Sequence, residues 1–182
     1  MNYQSKVREF QRASGQPVSD TPRELTKEEY DFRDNLLREE IRELQYAIVD
    51  NNRVEILDAL CDIVYVALGT CNTSGIKHHF NDVDYHEQLG DSIDSSMDFL
   101  DEFSRIERDY CISSVVTTCY ELAYHFGFTL ENFKTALDRV HESNMSKFCN
   151  DIKTAERTRE FYAKQGIDTY IEPEEKKFVR LS

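Results

Sequence analysis

The sequence contains few of the residues that interrupt helices: of its 182 residues, only 6 are glycine and 3 are proline. This shortage disfavours a β-rich fold, which needs many tight turns, and favours long helices. The chain is also 40% hydrophobic and 12% aromatic, which excludes an intrinsically disordered protein. Its length suits one sizeable hydrophobic core and is short for two. We therefore expect a single, almost entirely helical domain spanning residues 1–182.

Basic residues are outnumbered as well. The chain has 22 Lys and Arg against 35 Asp and Glu, which gives a formal charge of −13. Proteins bind polynucleotides and anionic surfaces largely through clusters of Lys and Arg, and this composition supplies no such cluster. Nucleic acid and membrane are therefore not expected as partners.

CxxC pairs, which mark many zinc and redox sites, are absent from the sequence. The five cysteines stand apart, which favours reduced thiols, and they are Cys61, Cys71, Cys111, Cys119 and Cys149. Met1 is not followed by a basic segment and an apolar run, and no apolar stretch approaches the roughly 20 residues that span a bilayer. A cytoplasmic protein is the expectation.

Two long helices are the clearest structural prediction. Thr26 and Glu29 have capping-box spacing, and apolar residues then repeat at helical intervals, which predicts a helix from about Lys27 to Val49. Val54 to Leu68 predicts a second helix, closed by Gly75. A short turn at 50–52 makes the two helices antiparallel neighbours.

Weaker signals predict the rest of the chain. We expect further helices at about 3–13, 93–106, 110–126 and 153–164, and one capped by Thr129 that runs through Val140. Residues 77–90 are predicted to be a loop, and their histidines match no usual zinc spacing. Two apolar pairs, at 170–171 and 178–179, are compatible with a small C-terminal hairpin.

Three acids on the second helix form a stripe. Glu55, Asp58 and Asp62 are spaced i, i+3, i+7, so a rotation of about 100° per residue places them on one face. Between Val54 and Leu68 no Lys or Arg offsets their charge. A merely solvated helix face usually carries charges of both signs, and this stripe does not.

The first helix carries a similar group, Glu39, Glu40 and Glu43, although Arg38 and Arg42 also give it the character of an ordinary solvated face. Gathered like charges destabilise a fold unless something neutralises them, and hard divalent cations prefer such oxygen ligands. Mg²⁺ fits best, with Mn²⁺ as the alternative. Because Mg²⁺ usually completes its shell with water and substrate phosphates, the pattern indicates metal-assisted hydrolysis of a polyphosphate.

These segments resemble a known family, the all-α nucleoside triphosphate pyrophosphohydrolases, which include MazG-like proteins, dimeric dUTPases and phosphoribosyl-ATP pyrophosphohydrolase. The family motif is EExxE, a gap, then ExxD. Glu39-Glu40-Ile41-Arg42-Glu43 supplies the first half, and the segment from Val54 to Tyr65 supplies the second. The likeness to phage-type and bacterial MazG-like members is carried by three stretches: Arg33 to Glu40, Asp62 to Thr70 and Val140 to Lys147.

The resemblance covers about residues 3–76 and 128–165 and implies an antiparallel helical bundle, with 77–127 as an added helical segment. It also implies a Mg²⁺-dependent enzyme that hydrolyses a nucleoside or deoxynucleoside triphosphate to the monophosphate and pyrophosphate, acting as a homodimer or homotetramer. The dimer interface is expected on the apolar sides of the two acid-bearing helices. A non-catalytic helical interaction module that keeps the fold is the alternative, and a ferritin-like di-iron protein would need two Glu-x-x-His pairs that the sequence lacks.

Site residues follow from the resemblance. It implies that the metal ligands are Glu40, Glu43 and Asp62 with either Asp58 or Glu55, and that Glu39 is either the base that activates water or an acid that supports the ligands without binding the metal. The second motif is ambiguous because Glu55-x-x-Asp58 fits it as written, whereas the surroundings of Asp62 and Tyr65 fit its usual final position and would put Ala59 where Glu normally stands. The expected substrate-binding residues are Arg33 for phosphate unless it only forms an ion pair on the helix surface, Tyr65 for stacking on a base unless it simply packs, and Asn144 and Lys147.

Overall fold

A computed structural model of the chain describes residues 2–77, 96–98, 100 and 112–145. Within these ranges the regular structure is α-helical, as predicted. The longer helices are α1 (Tyr3–Ser14), α2 (Lys27–Val49), α3 (Arg53–Ser74), α4 (Ile112–His125) and α5 (Leu130–Met145). The predicted C-terminal hairpin, the helix at 153–164, the loop at 78–90 and Lys147 lie outside the described residues.

The helix ends agree with the capping signals of the sequence. The Thr26 side chain accepts from the Glu29 N–H, and the Glu29 carboxylate accepts from the Thr26 N–H, which completes the capping box of α2. Gly75 ends α3 with φ 72, and a Cβ at this position would come within 2.0 Å of the Thr21 carbonyl oxygen. Only glycine therefore fits where the loop before α2 crosses the end of α3.

Helix α3 is the centre of the bundle and packs against α1, α2, α4 and α5. Fourteen of its 22 residues are buried, including Leu60, Ile63 and Val64, which have no exposed surface. Each such side chain contributes about 1.5–3 kcal/mol by leaving water. The face of α3 that was expected to need a partner subunit is therefore largely covered by helices of the same chain.

Helix α4 lies within the segment that was predicted to be an insertion. Its Val115, Cys119 and Leu122 are fully buried and belong to the same hydrophobic cluster as Leu44 of α2 and Phe133 of α5. Residues 112–125 are thus part of the core that supports α3 rather than an appendage on its surface.

Candidate metal centre

The seam between α2 and α3 brings the predicted acids of both helices together. The turn at residues 50–52 reverses the chain, with Asn51 in the left-handed region at φ 51. Ile41 and Leu44 of α2 and Ile56 and Ala59 of α3 point into the core. The acids occupy the neighbouring faces of the two helices, at the edge of the seam where solvent can reach them.

Glu40 is more enclosed than Glu43 or Asp58. Burial and, after it, the charges of Asp62, Glu43, Glu39 and Asp58 together raise its pKa to about 9. A carboxyl group in this setting is costly to ionise unless a cation is present. The structure therefore places Glu40 at the point where the acids of the two helices meet.

Glu43 and Asp58 extend the same acidic cluster along the seam. Burial raises the pKa of Glu43, and Glu39, Asp58 and Glu55 add to the increase. Burial also raises the pKa of Asp58, with a further contribution from Glu55. The name acidic cluster is used below for the six side chains Glu39, Glu40, Glu43, Glu55, Asp58 and Asp62.

The structure bears on the ambiguity of the second motif. Ala59 is 4% exposed and lies in the core, whereas Asp58 is exposed on the seam and its charge acts on both Glu40 and Glu43. Glu55 lies further along the stripe, and its charge raises the pKa of Glu43 and of Asp58. This arrangement favours Asp58 with Asp62 as the inner pair of α3 acids and Glu55 as the outer one.

The donor chemistry of the acidic cluster fits a hard divalent cation, because every group is a carboxylate and α3 has no Lys or Arg between Val54 and Leu68. As they stand, the described side chains include no group of three acids, histidines or cysteines close enough together to hold one ion. Carboxylates without a cation repel one another, and glutamate side chains can rotate by several bonds to close on one. The cluster is thus a set of ligands spread along the seam rather than a preformed cage.

Tyr65 lies one turn beyond Asp62 on α3, and its ring is buried. The Tyr65 ring meets that of Phe10 edge-on, with centroids 5.8 Å apart, so the ring packs between helices instead of lying open to a base. Its hydroxyl is 3.0 Å from Nδ1 of His141 and also bonds to the side chain of Asn144. Tyr65 and Asn144, two of the expected substrate-binding residues, are therefore brought together.

His141 is a residue that the sequence interpretation did not single out. It stands one turn before Asn144 on α5, on the same helix face, and that spacing is the signal that could have identified it. Burial lowers its pKa, while Glu9 opposes the change.

Arg33 does not join the acidic cluster. It is 6% exposed, and its Nη2 donates to Gln16 Oε1 at 3.0 Å and to Thr73 Oγ1 at 3.1 Å. Burial lowers its pKa to about 10. Two turns of α2, about 10 Å, separate it from Glu40. In this structure Arg33 connects α2 to α3 and to the loop that follows α1.

The sequence is similar to those of known proteins. Residues 7–83 match the family model of phosphoribosyl-ATP pyrophosphohydrolase. The chain is similar to an uncharacterised protein of Acanthamoeba polyphaga mimivirus, with 32% identity over 197 aligned positions that cover 88% of this chain and 76% of that one. No solved structure matches the chain.

The matched segment contains most of α1 and all of α2 and α3, and with them the whole acidic cluster. The chain belongs to the MazG-like, all-α nucleoside triphosphate pyrophosphohydrolase superfamily. Membership indicates a pyrophosphohydrolase that acts on a nucleotide, and such enzymes are typically dependent on a divalent metal. None of the helices in the described ranges has the length and apolar character needed to cross a membrane.

Proposed function

We propose that the protein hydrolyses a nucleoside or deoxynucleoside triphosphate, with Mg²⁺, to the monophosphate and pyrophosphate. The observation that supports this most is the position of Glu40, half-buried and surrounded by the charges of four other carboxylates on two helices. Such a cluster costs stability in the absence of a cation, and a binding site for metal and polyphosphate accounts for it.

Glu40, Glu43, Asp58 and Asp62 are the residues that would hold Mg²⁺, or Mn²⁺ in its place, with Glu55 as an outer ligand. A bound ion would neutralise phosphate charge and lower the pKa of a coordinated water. The protein's own contribution is to fix these carboxylates on two rigid helices, so that the substrate's phosphates meet oxygen ligands from one side.

Glu39 is proposed as the general base. It precedes Glu40 directly, and its charge acts on both Glu40 and Glu43, so it borders the inner part of the acidic cluster. A carboxylate in this place that does not bind metal can accept a proton from the attacking water.

Nucleotide contacts are proposed for Asn144 at the end of α5 and, from the motif alone, for Lys147. Tyr65 serves this site through its hydrogen bond to Asn144, because its ring is packed against Phe10. Arg33 is better explained as a structural residue, although it stays a proposed phosphate partner until its variants are measured.

A cytoplasmic location and a homodimer or homotetramer stay predictions. Since α3 is covered by helices of its own chain, a dimer interface would need apolar surface elsewhere. The described residues offer one such surface at the α2–α3 turn, where Tyr46 is 68% exposed, Val49 82% and Val54 73%. Sedimentation of a stable monomer at micromolar concentration would argue against a dimer.

The proposed function is tested with all eight common NTPs and dNTPs in Mg²⁺ or Mn²⁺, with pyrophosphate and monophosphate measured separately. We expect equimolar release of both products from at least one substrate, and no release in EDTA or with the Glu40→Gln variant. Release of orthophosphate and diphosphate would contradict the proposed bond cleavage. No turnover of any of the eight with either ion would contradict the activity.

A further inference from the structure

We propose that His141 is a positioning residue, which through Tyr65 fixes the orientation of the Asn144 amide at the nucleotide site. This inference rests on the proposed function for its consequence in catalysis. The hydrogen-bonded geometry on which it is built stands independently of that function.

Three helices contribute to the arrangement. The Tyr65 hydroxyl of α3 is 3.0 Å from Nδ1 of His141 on α5, and the two rings lie 30° from parallel with centroids 6.2 Å apart. On the other side of the imidazole, Nε2 lies 3.9 Å from Oε2 of Glu9 on α1. The His141 side chain is only 12% exposed, whereas Glu9 is 53% exposed. His141 therefore occupies a fixed place between a carboxylate and a phenol.

The partners of His141 determine which ring nitrogen carries the proton. Nε2 faces a carboxylate, which favours a proton on Nε2 and leaves Nδ1 as an acceptor. The Tyr65 hydroxyl then donates to Nδ1. Burial lowers the pKa of His141 and raises that of Tyr65, so a neutral imidazole and a protonated phenol are the stable forms near neutral pH.

The direction of the Tyr65–His141 hydrogen bond determines the direction of the hydrogen bond between Tyr65 and Asn144. A phenol has one hydrogen, and once it is donated to His141, the hydrogen bond between Tyr65 and Asn144 requires that the amide Nδ2 of Asn144 donates to the phenol oxygen. The amide carbonyl of Asn144 is thereby turned away from Tyr65. With no acceptor at position 141, the Tyr65 hydroxyl could donate to Asn144 instead, and the amide could then turn by 180°.

This arrangement adjoins the acidic cluster. Tyr65 follows Asp62 by one turn of α3, and the charge of Asp62 acts on the phenol. Asn144 is thus held next to the proposed metal ligands by a pair of residues that touch neither the metal nor the substrate. A change in amide orientation should weaken nucleotide binding and leave the chemical step nearly unaffected.

The test compares replacements that keep different parts of the imidazole. His141→Asn places an amide carbonyl near the position of Nδ1 and so keeps the acceptor for Tyr65. His141→Gln places its amide near the position of Nε2 instead. His141→Leu has no polar group at either position. We expect His141→Leu and Tyr65→Phe each to raise KM about tenfold, about the effect of one lost hydrogen bond, with kcat changed less than about twofold. His141→Asn should restore KM to within about threefold of the wild type, and His141→Gln should not.

Two comparisons separate this role from general destabilisation. The double variant Tyr65→Phe/His141→Leu should show the same KM as either single variant, because each change alone already breaks the connection from His141 through Tyr65 to Asn144. Replacement of the exposed His125 of α4 by leucine is the matched control and should leave KM unchanged. If His141→Leu does not fold, the proposal is tested by the difference in KM between His141→Asn and His141→Gln. Equal KM values for those two variants, or an additive double variant, would overturn the proposal.

A second measurement does not depend on activity. The ¹⁵N resonances of the His141 ring should show a neutral imidazole protonated at Nε2 at pH 7, and Tyr65→Phe should shift the Nδ1 resonance. A proton on Nδ1 would overturn the inference whatever the enzyme does. If the wild type hydrolyses no nucleotide, the proposed function fails while this result can still hold. If it hydrolyses one and His141→Leu has the wild-type KM, the inference alone fails.

Discussion

Glu40 and Asp62 lie on facing helices, and Asp62 contributes more to the raised pKa of Glu40 than any other carboxylate does. Two acids opposed in this way across a packed seam do not stabilise a fold through their mutual interaction. Their juxtaposition is understandable as one half of a site whose other half is a cation and a polyphosphate.

The first prediction concerns the three acids of α3. We expect Asp62→Asn and Asp58→Asn each to lower the rate of metal-dependent hydrolysis by about 100-fold or more. This loss is larger than the roughly 10–100-fold that is typical when a residue that only hydrogen-bonds to a metal ligand is replaced. Glu55→Gln should be milder, about tenfold, because Glu55 lies at the outer end of the stripe. The three variants are compared through their hydrolysis rates at limiting Mg²⁺. An Asp62→Asn variant with wild-type turnover would show that Glu55-x-x-Asp58 is the working motif.

The second prediction concerns stability without metal. The pKa of folded Glu40 lies above its ordinary value of 4.5, so the folded state holds the proton more tightly than the unfolded state. The contribution of Glu40 to the stability of the metal-free protein should therefore be greatest below about pH 4.5. This contribution should be lost as the pH rises toward about 9. In Glu40→Gln this decline should be smaller, which leaves the variant about 1–2 kcal/mol more stable than the wild type near pH 8.

Thermal unfolding in EDTA from pH 5 to pH 9 measures this effect. The exposed Glu24 of the loop before α2 provides the matched control, and Glu24→Gln should follow the wild type. Addition of Mg²⁺ should raise the Tm of the wild type more than that of Glu40→Gln, because an ion that binds only the folded state stabilises it. A Glu40→Gln variant less stable than the wild type at pH 8 in EDTA would contradict the repulsion argument.

The sequence was sufficient to predict the helices that carry the acids. Helix α2 has the predicted limits, Lys27 and Val49, since the capping box is a local signal. The acidic stripe of α3 was predictable because helical periodicity turns spacing into geometry. The antiparallel turn then required the acids of both helices to meet.

Contacts between distant segments could not be predicted in the same way. Tyr65 and His141 are 76 residues apart, and their pairing depends on how α5 packs against α3. The burial of Arg33 could not be predicted for a related reason. Its burial depends on Gln16 and Thr73, which are 17 and 40 residues away, and no periodic pattern on α2 reveals them.

The third prediction concerns Lys147. The motif Asn144-Met145-Ser146-Lys147 suggests that its ammonium group binds a phosphate or sugar oxygen. Lys147→Ala should lower kcat/KM about 10–100-fold, the effect of a lost hydrogen bond to a charged group, without a change in Tm. Lys134→Ala, which removes a lysine of α5, is the control variant. An unchanged kcat/KM for Lys147→Ala would remove this residue from the site.

The last prediction separates a structural from a catalytic role of Arg33. A Cβ at Gly69 would come within 2.9 Å of Arg33 Nη1, and the guanidinium cannot move freely because it is buried and bonded to Gln16 and Thr73. We expect Gly69→Ala and Arg33→Lys each to lower the free energy of unfolding by about 1–3 kcal/mol, through crowding in the first case and lost hydrogen bonds in the second. Urea denaturation measures this loss. Below the unfolding transition, kcat/KM should stay within about threefold of the wild type for both variants. If Arg33→Lys instead kept its stability and lost kcat/KM by about 100-fold, Arg33 would be a phosphate-binding residue after all, and the buried position would have to open when the nucleotide binds.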